Sequence, residues 1–89
     1  MEKVVAAAVR YKINDMIDCI DFGKRHSDIY QQLHRTYAGK IPLILVEGFL
    51  TDTGRFVDRY EAKDIAVAAN QLIVPEEETY LALYSEDVW

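Results

Sequence analysis

Short apolar stretches alternate with polar turns in the first quarter of the chain. Between Lys3 and Arg10, three β-branched valines surround three alanines, and Tyr11 extends this run. The pattern predicts a strand. A polar corner follows at Asn14–Asp15. Residues 16–22 then interleave apolar side chains with two aspartates, and Gly23 comes directly after them. This pattern predicts the second strand of a hairpin rather than a helix.

Helical spacing replaces strand spacing in the next segment. Ile29, Leu33 and Tyr37 fall at positions i, i+4 and i+8, which places them on one face of a helix. Ser27 is suited to cap the N-terminus of this helix, and Gly39 is suited to stop its C-terminus. The sequence therefore predicts an amphipathic first helix.

An apolar run over residues 41–50 predicts the third strand. Its four consecutive aliphatic residues, 43–46, suit a strand that is covered on both faces, and Pro42 fits the start of such a strand better than its middle. We therefore expect this to be the central strand. A turn at residues 52–54 ends it.

The second helix has the clearest start signal in the chain. Residues 55–57 lead into it, Asp58 has N-cap spacing, and Glu61 stands where its side chain can reach back to the cap. Small and apolar residues then recur at helical spacing, namely Ala62, Ile65, Ala66 and Ala69. Pro75 ends any continuation, and the apolar tail over residues 80–89 is expected to dock on the domain.

The order of elements is strand, strand, helix, strand, helix and tail. This order predicts an α+β fold, with a small antiparallel or mixed sheet and two helices packed on it, in a single domain over residues 1–89. So small a sheet cannot make a large core. A homo-oligomer is therefore expected, with the alanine face of the second helix and the aromatic tail as its contact surfaces.

Composition and charge limit the classes of partner. The chain is 51% hydrophobic and has a net charge of -5, so it is too apolar to be disordered and lacks the basic field that binds nucleic acid polymers or acidic membranes. Its apolar stretches are shorter than the roughly 20 residues that cross a bilayer. The single Cys19 excludes an internal disulfide and is typical of a reducing compartment. We therefore expect a cytoplasmic protein without a membrane partner.

Two segments carry residue types that bind anions. In the first, Lys24, Arg25 and His26 precede the predicted Ser27 cap, so cationic side chains and the free amide groups of a helix start meet in one place. The alternative is that Lys24 and Arg25 are solvated surface and that His26 only packs or caps. Spacing alone leaves both interpretations open.

The second segment surrounds the turn before the second helix. It combines aromatic and arginine side chains, which are the residue types that stack on a base and bind a phosphate. Its members are Phe49, Thr51, Arg55, Phe56 and Arg59. The alternative is that the phenylalanines fill the core and that Arg59 pairs with a neighbouring carboxylate.

Catalytic and metal-binding patterns are weak. His26 and His34 lie eight residues apart, which is too far for joint metal ligation on one helix. Cys19 with His26 lacks any signature of an oxyanion hole. We therefore assign no catalytic residue, no metal ligand and no cofactor, and a binding protein is favoured over an enzyme.

Several segments together resemble a group of small phage-encoded proteins. The likeness covers most of the chain and rests on Gly-Lys-Arg-His at 23–26, Gly-Phe-Leu-Thr at 48–51, the helix start at 54–62 and Ser-Glu-Asp at 85–87. Within that group the chain is similar to the first family of Thoeris anti-defence proteins, which act as sponges for cyclic ADP-ribose isomers. Asn70 stands where that family more often has glycine.

The resemblance implies a phage anti-defence protein that sequesters a cyclic ADP-ribose isomer, without cleaving it, in the cytoplasm of an infected bacterium. The residues that it implies for charge, an aromatic slot and ribose contacts are Arg25, His26, Phe49, Thr51, Arg55, Phe56, Arg59 and Ser85. Two alternatives stay open. One is an inhibitor that docks onto a host protein, and the other is a nucleotide hydrolase with His26 as its general base.

Overall fold

The computed structural model describes residues 1–13, 17–40 and 42–89. Within these ranges the chain forms strands, α-helices and short 3-10 helices. In chain order they are β1 (Val4–Ile13), β2 (Ile17–Gly23), α1 (His26–Thr36), β3 (Leu43–Thr51), β4 (Phe56–Asp58), α2 (Arg59–Ala68) and the 3-10 helices Glu76–Glu78 and Ser85–Asp87.

The strands form one antiparallel sheet in the order β2-β1-β3-β4. The predicted α+β class is therefore confirmed, and the sheet is antiparallel rather than mixed. β1 and β3 occupy its centre, which confirms the central position expected for the third strand. Phe49 on β3 pairs with Ala7 on one side and with Val57 on the other.

Both helices lie on the same face of the sheet. Ile29 and Leu33 of α1 share one core with Ala62 and Ala66 of α2. The strands and tail contribute Val4, Ala7, Val9, Tyr11, Phe49, Val57, Leu83 and Val88 to this core. Because Ala62 and Ala66 are fully buried within the chain, the prediction that the alanine face forms an oligomer contact is wrong. Their small side chains instead let α2 lie close to its own sheet.

The predicted first and second strands are confirmed as β1 and β2. The corner expected at Asn14–Asp15, the second-strand residue Met16 and the third-strand residue Ile41 lie outside the described residues. β4 is an additional strand, since residues 55–57 are expected from the sequence only to lead into α2. Three residues are too few for strand alternation to show in a sequence.

The first half of β3 is more exposed than its aliphatic run predicts. Leu43, Ile44 and Leu45 are 55%, 36% and 37% exposed, so the expectation of cover on both faces is wrong there. The reason is that β4 pairs only with residues 48–50. Within the described ranges, the earlier residues of β3 therefore have no strand beside them on that edge.

α1 begins one residue before the predicted cap. Arg25 is its N-cap residue, in an extended conformation without a side-chain capping bond, and Ser27 lies inside the helix. The prediction of a Ser27 cap is therefore wrong. The start of α1 is set by a tertiary contact rather than by the local capping signal, because the ring of His26 bonds the Gly48 carbonyl group on β3. Gly39 has a φ of 84° in the turn after the helix, which agrees with its predicted role as a stop.

α2 begins where its sequence signal predicts. The Asp58 carboxylate accepts a hydrogen bond from the Glu61 amide at 2.8 Å, which confirms the N-cap. The predicted reach of Glu61 back to the cap is wrong, because its carboxylate accepts from the Arg55 guanidinium group at 2.8 Å. After the C-cap at Ala69, Asn70 has a φ of 57°, a left-handed conformation that asparagine adopts more readily than most residues other than glycine.

The C-terminal tail docks on the domain, as predicted. Leu83 is fully buried, and its amide donates to the Arg59 carbonyl oxygen at 2.9 Å. The Trp89 indole donates to the Lys24 carbonyl oxygen at 2.6 Å. These bonds join the tail to the start of α2 and to the segment before α1.

Candidate functional site

Two arginines from separate segments converge on the C-terminal tail. Arg25 precedes α1, and Arg59 is the first residue of α2. Arg25 Nη1 donates to Ser85 Oγ at 3.3 Å, and Arg59 Nη1 donates to the Leu83 carbonyl oxygen at 2.8 Å. The Arg59 guanidinium carbon also lies 4.9 Å from the centre of the Tyr84 ring, within cation–π range. We call Arg25, Arg59, Tyr84 and Ser85 the arginine cluster.

Among the described residues, the arginines of this cluster make only long ion pairs. Arg25 Nη1 lies 4.0 Å from Glu86 Oε1, and Arg59 Nη2 lies 3.7 Å from Glu47 Oε1. Close charge-assisted hydrogen bonds are about 2.7–2.9 Å long. Both guanidinium groups therefore keep donor capacity toward an anion. Their side chains are 30% and 17% exposed, respectively, so part of that capacity faces solvent.

Arg55 and Thr51 join a different network, at the turn between β3 and β4. Arg55 donates to Glu2 at 2.9 and 2.7 Å and to Glu61 at 2.8 Å. The buried Thr51 hydroxyl group donates to Glu2 at 2.7 Å. The hydrogen bonds to Glu2, foremost that from Arg55 and then those from Thr53 and Thr51, lower the pKa of Glu2 to about 2. Arg55 Nε and Nη2 thus donate to carboxylates within the chain, whereas the hydrogen bonds of Arg25 and Arg59 go to uncharged oxygens.

His26 packs in the interior, as the alternative interpretation of its segment expects. It is 8% exposed, and its Nε2 donates to the Gly48 carbonyl oxygen at 2.8 Å. Because a carbonyl oxygen only accepts hydrogen bonds, Nε2 carries the proton of the neutral ring. Burial lowers the pKa of His26. A buried ring bonded to the backbone is poorly placed to serve as the general base of a hydrolase.

Folding stability is expected to decrease as the pH falls below 6.5, because His26 takes a proton near its ordinary pKa of 6.5 only in the unfolded chain. The folded chain resists protonation until a lower pH, so the unfolded state binds more protons in this window and gains stability. Urea denaturation at about pH 7.5 and about pH 5.5 measures the difference.

The matched variants are His26→Gln, whose amide can still donate to Gly48, and His34→Gln, which changes an exposed position of α1. The pH dependence should diminish in His26→Gln and persist in His34→Gln. The same dependence in His26→Gln as in the parent chain contradicts the assignment.

Phe49 fills the core rather than an aromatic slot. It is fully buried, and its ring centre lies 5.1 Å from that of His26 and 6.3 Å from that of Trp89, both in edge-on contact. The ring therefore has no face open to a ligand, which corrects the role predicted for Phe49. Phe56 lies on the opposite face of the sheet, because it precedes the core residue Val57 and successive strand residues alternate.

Three residues at the site are not singled out for binding by the sequence: Tyr30, Glu47 and Tyr84. The Tyr30 hydroxyl group donates to a Glu47 carboxylate oxygen, and burial, aided by that bond, raises the pKa of Tyr30. Glu47 is also the carboxylate nearest Arg59 in the ion pair described above. The sequence could have indicated Tyr30, because it lies beside the apolar face of α1. It gives no signal for the contact between Tyr84 and Arg59, which are far apart in the chain.

Tyr30 also lines a cleft of about 260 Å³ between α1 and the beginning of β3. Its walls combine apolar side chains with one imidazole and one ammonium group. The lining residues are Tyr30, Leu33, His34, Lys40, Pro42 and Ile44. Tyr30 links the cleft to the arginine cluster, because it donates to Glu47 and Glu47 pairs with Arg59.

The described ranges contain no group of three or more histidine, cysteine or acidic side chains arranged to hold a metal ion. Among the same residues, no helix has the length and apolar character needed to cross a membrane.

Comparison with known proteins identifies a family. No curated protein and no solved structure matched the chain. Residues 3–89 match the model of a family described as phage T4 y16D protein, which confirms the resemblance to small phage proteins, whereas the particular likeness to Thoeris anti-defence proteins stays a prediction. Because the match covers nearly the whole sequence, the chain belongs to the phage T4 y16D protein family.

Proposed function

We propose that the protein sequesters a cyclic ADP-ribose isomer without cleaving it. The observation that carries this proposal is the convergence of Arg25 and Arg59 on one part of the tail with donor capacity to spare. Membership of a phage protein family supports a role during infection. The likeness of the sequence to Thoeris anti-defence proteins supports the choice of ligand.

The chemistry of the arginine cluster suits a pyrophosphate. Arginine offers paired, planar N–H donors that match phosphate oxygens, and two arginines can each take one phosphate group. Glu47 and Glu86 stand at 3.7 and 4.0 Å from these arginines. Loose ion pairs of this kind contribute about 0–1 kcal/mol, so an incoming phosphate displaces them at little cost. The Ser85 hydroxyl group adds a hydrogen-bonding partner for a ribose.

The neighbouring cleft suits the apolar part of such a ligand. Its volume of about 260 Å³ lies just below the roughly 300–1,000 Å³ of sites that enclose a whole drug-sized molecule. It is therefore large enough for one ring system. The aromatic ring of Tyr30 and the apolar side chains of Pro42 and Ile44 form walls for an adenine.

Calorimetry and thermal shift with cyclic ADP-ribose isomers test the proposal, with AMP as a ligand that lacks a pyrophosphate. Binding raises the melting temperature by mass action. Arg25→Ala and Arg59→Ala should each weaken binding roughly 10- to 100-fold, since each removes charge-assisted hydrogen bonds. Arg35→Ala is the matched control, because Arg35 is an exposed arginine in the last turn of α1.

Arg59 also holds the tail through Leu83, so a second variant separates binding from folding. Arg59→Lys keeps the charge and loses the planar pair of donors. It should weaken binding while circular dichroism and the melting temperature of the free protein stay near those of the parent.

Two results count against the proposal. One is the absence of a thermal shift with every isomer, and the other is normal binding by both alanine variants. Chromatography of the ligand after heat release completes the test. Unaltered ligand agrees with sequestration, and a cleaved product supports the hydrolase alternative.

A further inference from the structure

The sheet has a second face, opposite the helices, and its side chains are largely apolar. The register places Phe22 beside Ala8 and Ile20 beside Arg10, and the ion pair between Arg10 and Asp18 shows that these residues share a face. The same alternation continues through β3 and β4. We call this surface the open sheet face, and its apolar side chains include Ala6, Ile20, Phe22, Val46, Leu50 and Phe56.

The open sheet face is unusual for a sheet with helices on one side only. Such antiparallel sheets ordinarily turn polar side chains toward water. Here Phe22 is 61% exposed and Ile20 is 47% exposed, and both lie in the edge strand β2. Large contiguous apolar patches on a surface mark interaction sites. No element of the described chain covers this one, because both helices pack on the other face.

The charged residues of this face are Arg10, Lys12 and Asp18, which pair with each other at one end, and Asp58 at the β4 edge, whose carboxylate caps α2. Arg10 Nη2 lies 3.3 Å from Asp18 Oδ2, and Lys12 Nζ lies 3.8 Å from Asp18 Oδ1. Burial of the apolar part therefore leaves no isolated charge in its middle. Two cations to one carboxylate also make this end slightly positive, in a chain whose net charge is -5.

The charge distribution favours a second copy of the chain over a partner of strong charge. The net charge of -5 repels an acidic partner. A basic partner is attracted to the carboxylates outside this face more strongly than to the face itself. Two copies that meet through this face bring together surfaces of low charge and keep their acidic surfaces apart. The four strands contain 10, 7, 9 and 3 residues, and at about 3.4 Å per residue and about 4.8 Å between strands the whole face covers about 470 Å². Two copies therefore bring together about 950 Å², close to the roughly 1,000 Å² of a specific interface.

We propose that the open sheet face is the interface of a homodimer. Two sheets packed face to face about 10 Å apart bury the side chains between them, and a two-fold axis makes the same patch serve both copies. This interface replaces the alanine face of α2, which is buried in the chain. The proposal stands independently of the proposed ligand, since the arginine cluster lies outside the open sheet face.

Sedimentation equilibrium and native mass spectrometry of the intact chain test the dimer. The parent chain of 10.3 kDa is expected to show twice that mass at micromolar concentration. Phe22→Glu places a carboxylate in the apolar interface, and it should weaken dimerisation about 100-fold or more. Because Phe22 is 61% exposed, the fold of the monomer should survive, which far-ultraviolet circular dichroism checks.

Leu81→Glu is the matched control. Leu81 is 84% exposed in the tail, away from the sheet, and the same charge there should leave the dimer intact. A monomer at all concentrations, a dimer unaffected by Phe22→Glu, or a dimer that is lost through Leu81→Glu overturns the proposal. The last outcome assigns the interface to the aromatic tail. A dimer that binds no nucleotide leaves this inference intact and counts only against the proposed function.

Discussion

Replacement of Phe49 by alanine is expected to cost about 3–5 kcal/mol of folding stability. The Phe49 side chain is fully buried in the centre of the sheet. It packs against His26 from α1 and Trp89 from the tail, and it pairs across the sheet with Ala7 and Val57. Its loss leaves a cavity bordered by several elements that cannot all collapse into it.

So large a loss is a substantial part of the stability of a domain of this size. Small domains are stable by about 0.05–0.15 kcal/mol per residue, so this one is expected to be stable by about 4–13 kcal/mol. Urea denaturation followed by circular dichroism measures the difference. Tyr60→Ala is the matched control, since Tyr60 is 64% exposed and its replacement should cost no more than about 0.5 kcal/mol. Equal losses in the two variants contradict the assignment of Phe49 to the core.

Gly48→Ala is expected to be nearly as harmful, with a loss of about 3 kcal/mol. A Cβ atom at this position lies 2.1 Å from the Val57 carbonyl oxygen and 3.0 Å from Phe56 Cζ. Because the nearest obstacle is backbone, β4 itself has to move away from β3. That displacement also disturbs the Gly48 carbonyl group to which His26 donates.

Gly54→Ala separates this close approach from the general cost of replacing a glycine. Gly54 has a φ of 84°, and nothing lies within 4 Å of a Cβ atom there. Its replacement should therefore cost only the backbone strain of about 1–2 kcal/mol. Urea denaturation of both variants measures the two losses of folding stability. If Gly54→Ala loses as much stability as Gly48→Ala, the steric explanation is wrong.

The sequence predicts those elements whose signals are local. The start of α2 follows from Asp58 and the amide three residues later, and both partners lie within one helical turn. The start of α1 does not, because the bond that holds His26 in its first turn comes from Gly48 on another strand. A capping residue such as Ser27 is a weaker determinant than a buried tertiary hydrogen bond.

The candidate site divides in the same way. The sequence places Arg55 and Arg59 in one predicted site because they are four residues apart. In the structure, Arg55 donates to Glu2 and Glu61, whereas Arg59 donates to Leu83 in the tail. The role of Phe49 is ambiguous in sequence, since a phenylalanine at the end of a strand can fill a core or line a pocket. The packing of Trp89 against Phe49 assigns Phe49 to the core, and the local sequence does not show this contact.

The docking of the tail has a kinetic consequence. The bonds from Arg25 to Ser85 and from Trp89 to Lys24 span 60 and 65 positions of the sequence, and closures of that length slow folding. On the ribosome, the tail is translated after the strands and helices that receive it. The arginine cluster of a nascent chain is therefore assembled only after Tyr84 and Ser85 have emerged.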